Sequence, residues 1–161
     1  ASVPAVGADR APPGPAGVVG SITHGGGWAA ALVARREDWR GLGLDMEQLL
    51  APARAERLAG EILTPVELRR LPALDAEQRA RLVTLTFSLK ESLFKALYPL
   101  VQKRFYFQDA ELLEWREDGS ARLRLLSALS ADWPSGAELD GQFALFDGRL
   151  LSLVGVPPQK R

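Results

Sequence analysis

Hydrophobic and polar positions change rhythm along this chain, and each rhythm predicts a different kind of element. "VVGSITH" at 18–24 and "WAAALVA" at 28–34 are short apolar runs on either side of a Gly25-Gly26-Gly27 turn, which predicts two strands joined by a tight loop. "GLGLDME" at 41–47 predicts a third strand, with Asp45 and Glu47 on one face and Leu44 and Met46 on the other. Its G-x-G lacks the third glycine and the following helix start of a dinucleotide-binding loop.

The middle of the chain is predicted to be helical. In "LTPVELRRL" Thr64 suits an N-cap, Pro65 the first helical position and Glu67 the reciprocal place in a capping box. Asp75 and Gln78 repeat that signature before a longer helix, in which Leu82, Leu85, Leu89, Leu93 and Leu97 step by three or four. Pro99 ends this helix or lies just beyond its end. From about residue 104 the period becomes two. "AELLEWRED" and "SARLRLL" flank Asp118-Gly119, and "QFALF" and "RLLSLVGV" flank Asp147-Gly148, which predicts two β-hairpins. The class is therefore α+β, antiparallel strands around a central helical insert, with no internal sequence repeat. Residues 1–17, dense in Pro, Gly and Ala, read as extended loop.

Composition narrows the chemistry. With 161 residues and 47% hydrophobic content the chain can bury a core. Twenty basic and twenty acidic residues cancel, so no global field draws it to nucleic acid or an anionic membrane. No apolar run approaches the ~18 residues of a membrane span. The expectation is a cytoplasmic monomer. Without Cys and with one His, thiol chemistry and a His-rich zinc site are excluded, so any metal would be a hard cation held by carboxylates.

The stretch "TFSLKESLFKALY" at 86–98 places Lys90, Glu91 and Lys95 inside an apolar run. On a helical wheel Glu91 lies away from the leucine stripe and shares a face with Lys95 and Phe87. Alone, Glu91 and Lys95 make an ordinary i,i+4 pair on a solvated face, worth about 0.3–0.5 kcal/mol. Asp45 and Glu47 open a second reading, because adjacent carboxylates repel and a divalent cation relieves them. A third carboxylate from the helix would complete a hard-ligand site with room for water and a phosphate oxygen.

"GSITH" at 20–24, "GLGLDME" at 41–47 and "FSLKESLFK" at 87–95, in that order, resemble the three signature motifs of 4'-phosphopantetheinyl transferases of the surfactin and enterobactin type. The likeness is to the enterobactin-like branch, and it extends over nearly the whole chain. It implies transfer of phosphopantetheine from coenzyme A to a serine of an apo carrier protein of fatty-acid, polyketide or peptide synthesis, with release of 3',5'-adenosine bisphosphate. Mg²⁺ is the implied cofactor.

Carried over motif by motif, Asp45, Glu47 and Glu91 would ligate the metal and Lys95 would hold the pyrophosphate. Thr23 and His24 would contact the nucleotide, with Lys90 as a supporting positive charge. Glu67 is implied as a candidate base for the attacking serine, with Glu91 or a metal-bound water as competitors; a capping-box role explains Glu67 equally well. The carrier proteins this family serves tend to be acidic, so Arg69-Arg70 and Lys103-Arg104 are expected at a docking surface.

The pattern departs in places. "RAPPGPAG" at 10–17 has Gly14 where the branch usually shows Trp, and Thr23 stands where Ser is commoner. Family members carry a further N-terminal half whose basic residues grip the 3'-phosphate, and Arg10 is the one candidate here from that side. The implied fold has two similar lobes related by a pseudo-twofold, residues 1–40 belonging to an incomplete first lobe and 41–161 to the second, which carries the metal site. Two other classes fit the same residues: a Mg²⁺-dependent phosphohydrolase, and a non-catalytic carrier-binding module.

Overall fold

The computed structural model describes residues 17–25 and 27–158. Along the described chain run β1 (Val18–Gly25), β2 (Trp28–Arg35), β3 (Gly41–Gln48), α1 (Pro52–Ile62), α2 (Pro65–Leu68), α3 (Ala76–Val101), β4 (Ala110–Trp115), β5 (Ser120–Leu125), β6 (Glu138–Phe146) and β7 (Arg149–Val156). Strands β3 to β7 form one antiparallel sheet in the order β3-β7-β6-β5-β4, and β1 and β2 pair as a separate hairpin. The last strand thus lies beside β3, with Asp45 opposite Ser152.

Helix α3 starts where its sequence says it should. Asp75 accepts from the Gln78 N–H while the Gln78 side chain accepts from the Asp75 N–H, closing a capping box. Leu82, Leu85, Leu89, Leu93 and Leu97 are all buried, each worth about 1.5–3 kcal/mol relative to an exposed side chain. The helix packs onto β3 and β7 at a distance set by glycine. A Cβ on Gly43 would stand 1.7 Å from the backbone oxygen of Ser92, and one on Gly41 2.5 Å from that of Ala96.

A strand at a sheet edge leaves N–H groups unpaired. On β3 the hairpin β1–β2 covers them with side chains: Ser21 Oγ accepts from the Leu44 N–H (2.9 Å) and Thr23 Oγ1 from the Met46 N–H (3.0 Å).

Two local expectations change, and one helix is short. Pro99 lies inside α3, which runs on to Val101 and stops at Gln102 in the left-handed region (φ 50°). Period two begins at Ala110, not 104, because Phe107–Asp109 form a 3-10 turn. The helix beginning at Pro65 lasts only to Leu68 before a 3-10 turn at Leu71–Ala73, where Pro72 withholds an N–H. The hairpin turns are as expected, with Asp147 and Gly148 both at positive φ (49° and 68°) between β6 and β7. Among the described residues no helix is long and apolar enough to cross a membrane.

Candidate functional site

The close approach of α3 to β3 brings the two acidic motifs together. Odd-numbered positions of β3 face the helix, which is why Gly41 and Gly43 meet Ser92 and Ala96 and why Asp45, next in the series, meets Ser88. Ser88 Oγ donates to Asp45 Oδ2 at 2.9 Å and also lies 2.8 Å from Ser152 Oγ, itself 2.7 Å from Ser92 Oγ. This buried chain of hydroxyls fixes Asp45 from below. The sequence reading missed it, although serines four apart on a helix whose other inward positions are leucines were a signal. From above, Lys95 Nζ donates to the Leu44 carbonyl at 2.8 Å and lies 3.4 Å from Asp45 Oδ1.

Glu47 and Glu91 border the same cleft, each half-buried. Burial pushes the Glu47 carboxyl up to about 9, with the hydrogen bond and charge of Asp45 and the charge of Glu91 adding to the rise and Lys95 opposing it. Burial also raises Glu91, the charge of Asp45 second, while Lys95 lowers it. The expected carboxylates therefore sense one another. Among the described residues, however, no three His, Cys, Asp or Glu side chains are gathered closely enough to hold a metal as they stand. Here the nearest positive charge to Asp45 is the Lys95 ammonium.

Lys90 and Glu67 depart from expectation more sharply. Lys90 is 0% exposed and Glu67 1%. Lys90 Nζ donates to Glu67 Oε1 (2.7 Å), Ile62 O (2.8 Å) and Phe107 O (2.8 Å). Glu67 Oε1 also accepts from the Thr64 N–H and Oε2 from the Leu112 N–H. The capping box is present, but a base open to substrate and a cation reaching a nucleotide are not: both groups are enclosed and hydrogen-bonded to the chain itself. Burial pushes the Lys90 ammonium below its ordinary range, with Glu67 opposing the shift.

Two cavities meet at α3. The larger, about 1020 Å³, is lined by Thr23, His24, Asp45, Glu47, Arg54 and Arg149 among others. The smaller, about 400 Å³, runs between the β1–β2 hairpin and the end of α3, past Phe94, Tyr98, Leu100, Arg104 and Phe105. Glu91 and Lys95 line both. His24 is exposed at the rim of the larger cavity, whereas Thr23 is buried with its Oγ1 accepting from β3. Arg54, on the first turn of α1, and Arg149 were not foreseen; α1 has no side-chain cap to mark its start. Arg10 lies outside the described residues.

Comparison with known proteins bears on the family of the chain. Residues 41–147 match the model of the 4'-phosphopantetheinyl transferase superfamily. Enterobactin synthase component D of Escherichia coli (strain K12) is 38% identical over 115 residues, 71% of this chain and 52% of that protein. The 4'-phosphopantetheinyl transferase Svp of Streptomyces mobaraensis is 38% identical over 140 residues, 86% of this chain and 54% of that one. The chain spans about half the length of these relatives. The holo-ACP-synthase of Plasmodium yoelii shares the fold at a TM-score of 0.56 and 16% identity, covering 76% of this chain and 97% of that one.

Proposed function

The chain belongs to the 4'-phosphopantetheinyl transferase superfamily, and from that premise we propose that it moves 4'-phosphopantetheine from coenzyme A onto a serine of an apo carrier protein. The observation that supports this most directly is the position of Glu91 and Lys95 where a wide polar cavity meets a narrower, partly aromatic one. Coenzyme A has that shape: an anionic nucleotide and an amphipathic arm, joined by a pyrophosphate. Its nucleotide suits the larger cavity, beside His24, Arg54 and Arg149, and its arm the smaller, along Phe94 and Phe105.

In the reaction the serine oxygen bonds to the phosphorus bearing the pantetheine, and the bond from that phosphorus to the bridging oxygen breaks. The electron pair leaves with 3',5'-adenosine bisphosphate. Negative charge grows on the bridging and non-bridging oxygens, where a preorganised ammonium stabilises it. Lys95, tied to the Leu44 carbonyl, is the group for that role. Glu91, which borders both cavities, is the carboxylate we assign to accept the serine proton.

Asp45, Glu47 and Glu91 would hold Mg²⁺. Their oxygens are hard donors, and the charge of Asp45 adds to the rise that burial causes in Glu47 and Glu91, a repulsion that a divalent cation relieves. When bound it would neutralise phosphate charge as a Lewis acid. The test is the intact mass of an apo carrier protein after incubation with coenzyme A and Mg²⁺. A gain of one phosphopantetheine is expected; hydrolysis of coenzyme A with an unmodified carrier would overturn the assignment.

A further inference from the structure

Resting on the reading above, we propose that Glu67 and Lys90 form a buried lock that positions Glu91, and that neither of them touches substrate.

The bonding is saturated. An ammonium has three protons to donate, and those of Lys90 go to Ile62 O, Glu67 Oε1 and Phe107 O. Both oxygens of Glu67 are likewise committed, Oε1 to Lys90 and Thr64, Oε2 to the Leu112 N–H. To take a proton from a serine arriving through the cleft, Glu67 would have to leave a pair that is 0% and 1% exposed.

What the pair joins explains its place. It ties the end of α1, the start of α2, the 3-10 turn before β4 and β4 itself to a single point on α3, one residue before Glu91. Elsewhere on its circumference α3 is seated by Gly41 and Gly43 of β3 and by the hydroxyls of Ser88 and Ser92. Pinned at both places, the helix resists rolling about its axis. The magnitude matters. A carboxylate about 6 Å from a helix axis moves ~1 Å when the helix rolls by ~10°, whereas metal–ligand distances tolerate about 0.2 Å. The lock also holds Phe107, whose ring packs on Phe87 and on Phe94, a wall of the smaller cavity.

The test uses Glu67→Gln, Lys90→Met and the doubly substituted, uncharged pair, which carries the experiment if a single variant does not fold. Mg²⁺ alone is titrated calorimetrically, and amide exchange is followed at Thr64 and Leu112. The lock acts on Glu91 through the seating of α3 and not by a bond to it, and a ligand displaced beyond about 0.2 Å should bind the metal measurably more weakly. At least a tenfold loss of Mg²⁺ affinity is expected in each folded variant, the double no worse than the worse single, with faster exchange at both amides. The kcat of Glu67→Gln at saturating Mg²⁺ should stay within about tenfold of the parent, and its pH profile should keep its shape. Unchanged Mg²⁺ affinity in the folded variants overturns the positioning role. A folded Glu67→Gln protein with parental Mg²⁺ affinity and kcat lowered by 10³ or more would instead return Glu67 to the reaction as its base. If the parent modifies no carrier, the proposed function fails, and the Mg²⁺ and exchange measurements still decide the lock.

Discussion

Lys95 Nζ stands 3.4 Å from Asp45 Oδ1 and 2.8 Å from the carbonyl of Leu44, so one ammonium spans a buried carboxylate and the strand that carries it. Asp45 also takes a hydrogen bond from Ser88, on the same helix as Lys95. Helix and strand therefore present a carboxylate held on both oxygens, with the ammonium 34% exposed on the cleft side. Such an ammonium can exchange an aspartate for an arriving phosphate without leaving the site.

Asp45→Asn keeps the shape of the side chain and removes its charge. Transfer activity is expected to fall by 10² or more while the fold survives, since Ser88 keeps Ser152 as a partner. Activity against Mg²⁺ concentration, together with thermal unfolding, checks it. Parental activity at limiting Mg²⁺ would remove Asp45 from the metal site.

Lys95→Ala should lower turnover by about 10² or more, the scale of losing one preorganised contact to a transition state. Some loss of stability is expected as well, because the buried Asp45 carboxylate loses its cationic partner. A variant that unfolds earlier but turns over normally would return Lys95 and its neighbours to an ordinary surface ion-pair role.

Much of this site was legible because its signals are local. The leucine steps of α3, the capping boxes at Thr64 and Asp75 and the alternation that puts Asp45 and Glu47 on one face depend on neighbours in sequence. What stayed hidden depends on contacts across the fold. Nothing near Lys90 announces that Ile62, Glu67 and Phe107 converge on its ammonium, separated from it by 28, 23 and 17 residues. The same holds for Ser152, 64 residues from Ser88, and for Arg54, on a helix without a capping side chain. Motif likeness assigned Lys90 to the nucleotide by its type; burial assigns it to the frame.

The pH dependence has a definite sign. Glu47 is raised to about 9 in the folded protein from an ordinary value near 4.5. Its contribution to stability is therefore fully present below pH ~4.5 and is lost as pH rises toward ~9, where the folded state must ionise a carboxyl the unfolded chain has already ionised. Glu91 shifts in the same direction. Metal-free protein should lose thermal stability across that window. Added Mg²⁺ should restore it, most at the alkaline end, with protons released on binding. Stability flat across the window, in thermal scans without Mg²⁺, would rule out the raised carboxyls.

Gly43→Ala tests the seating of α3. Its Cβ would meet the backbone oxygen of Ser92 at 1.7 Å, which no side-chain rotation relieves, so the loss should exceed the ~1–3 kcal/mol of ordinary overpacking. Gly141→Ala is the control: there the nearest atom is Leu89 Cδ2 at 3.0 Å, the end of a flexible side chain. Denaturant unfolding of the two should separate them clearly, and equal stability would refute the close approach.

Lys103 and Arg104 adjoin in sequence but face different tasks. Arg104 lines the smaller cavity with Glu91, Lys95 and Phe94, whereas Lys103 lies outside the lining of both cavities and reaches the Ala128 carbonyl at 3.2 Å. A docking role for both as one basic pair is thereby divided. Arg104→Glu should raise KM for coenzyme A, because it puts a negative charge on a wall of the cavity proposed for the arm. Lys103→Glu should raise KM for an acidic carrier protein and leave coenzyme A affinity unchanged. Added salt should narrow the Lys103 effect, since charges at an exposed docking rim act mainly on encounter and are screened within ~10 Å at 0.1 M. Steady-state kinetics with each substrate varied in turn reads both. If Lys103→Glu weakens coenzyme A and carrier equally, the division is wrong and both residues belong to the cavity.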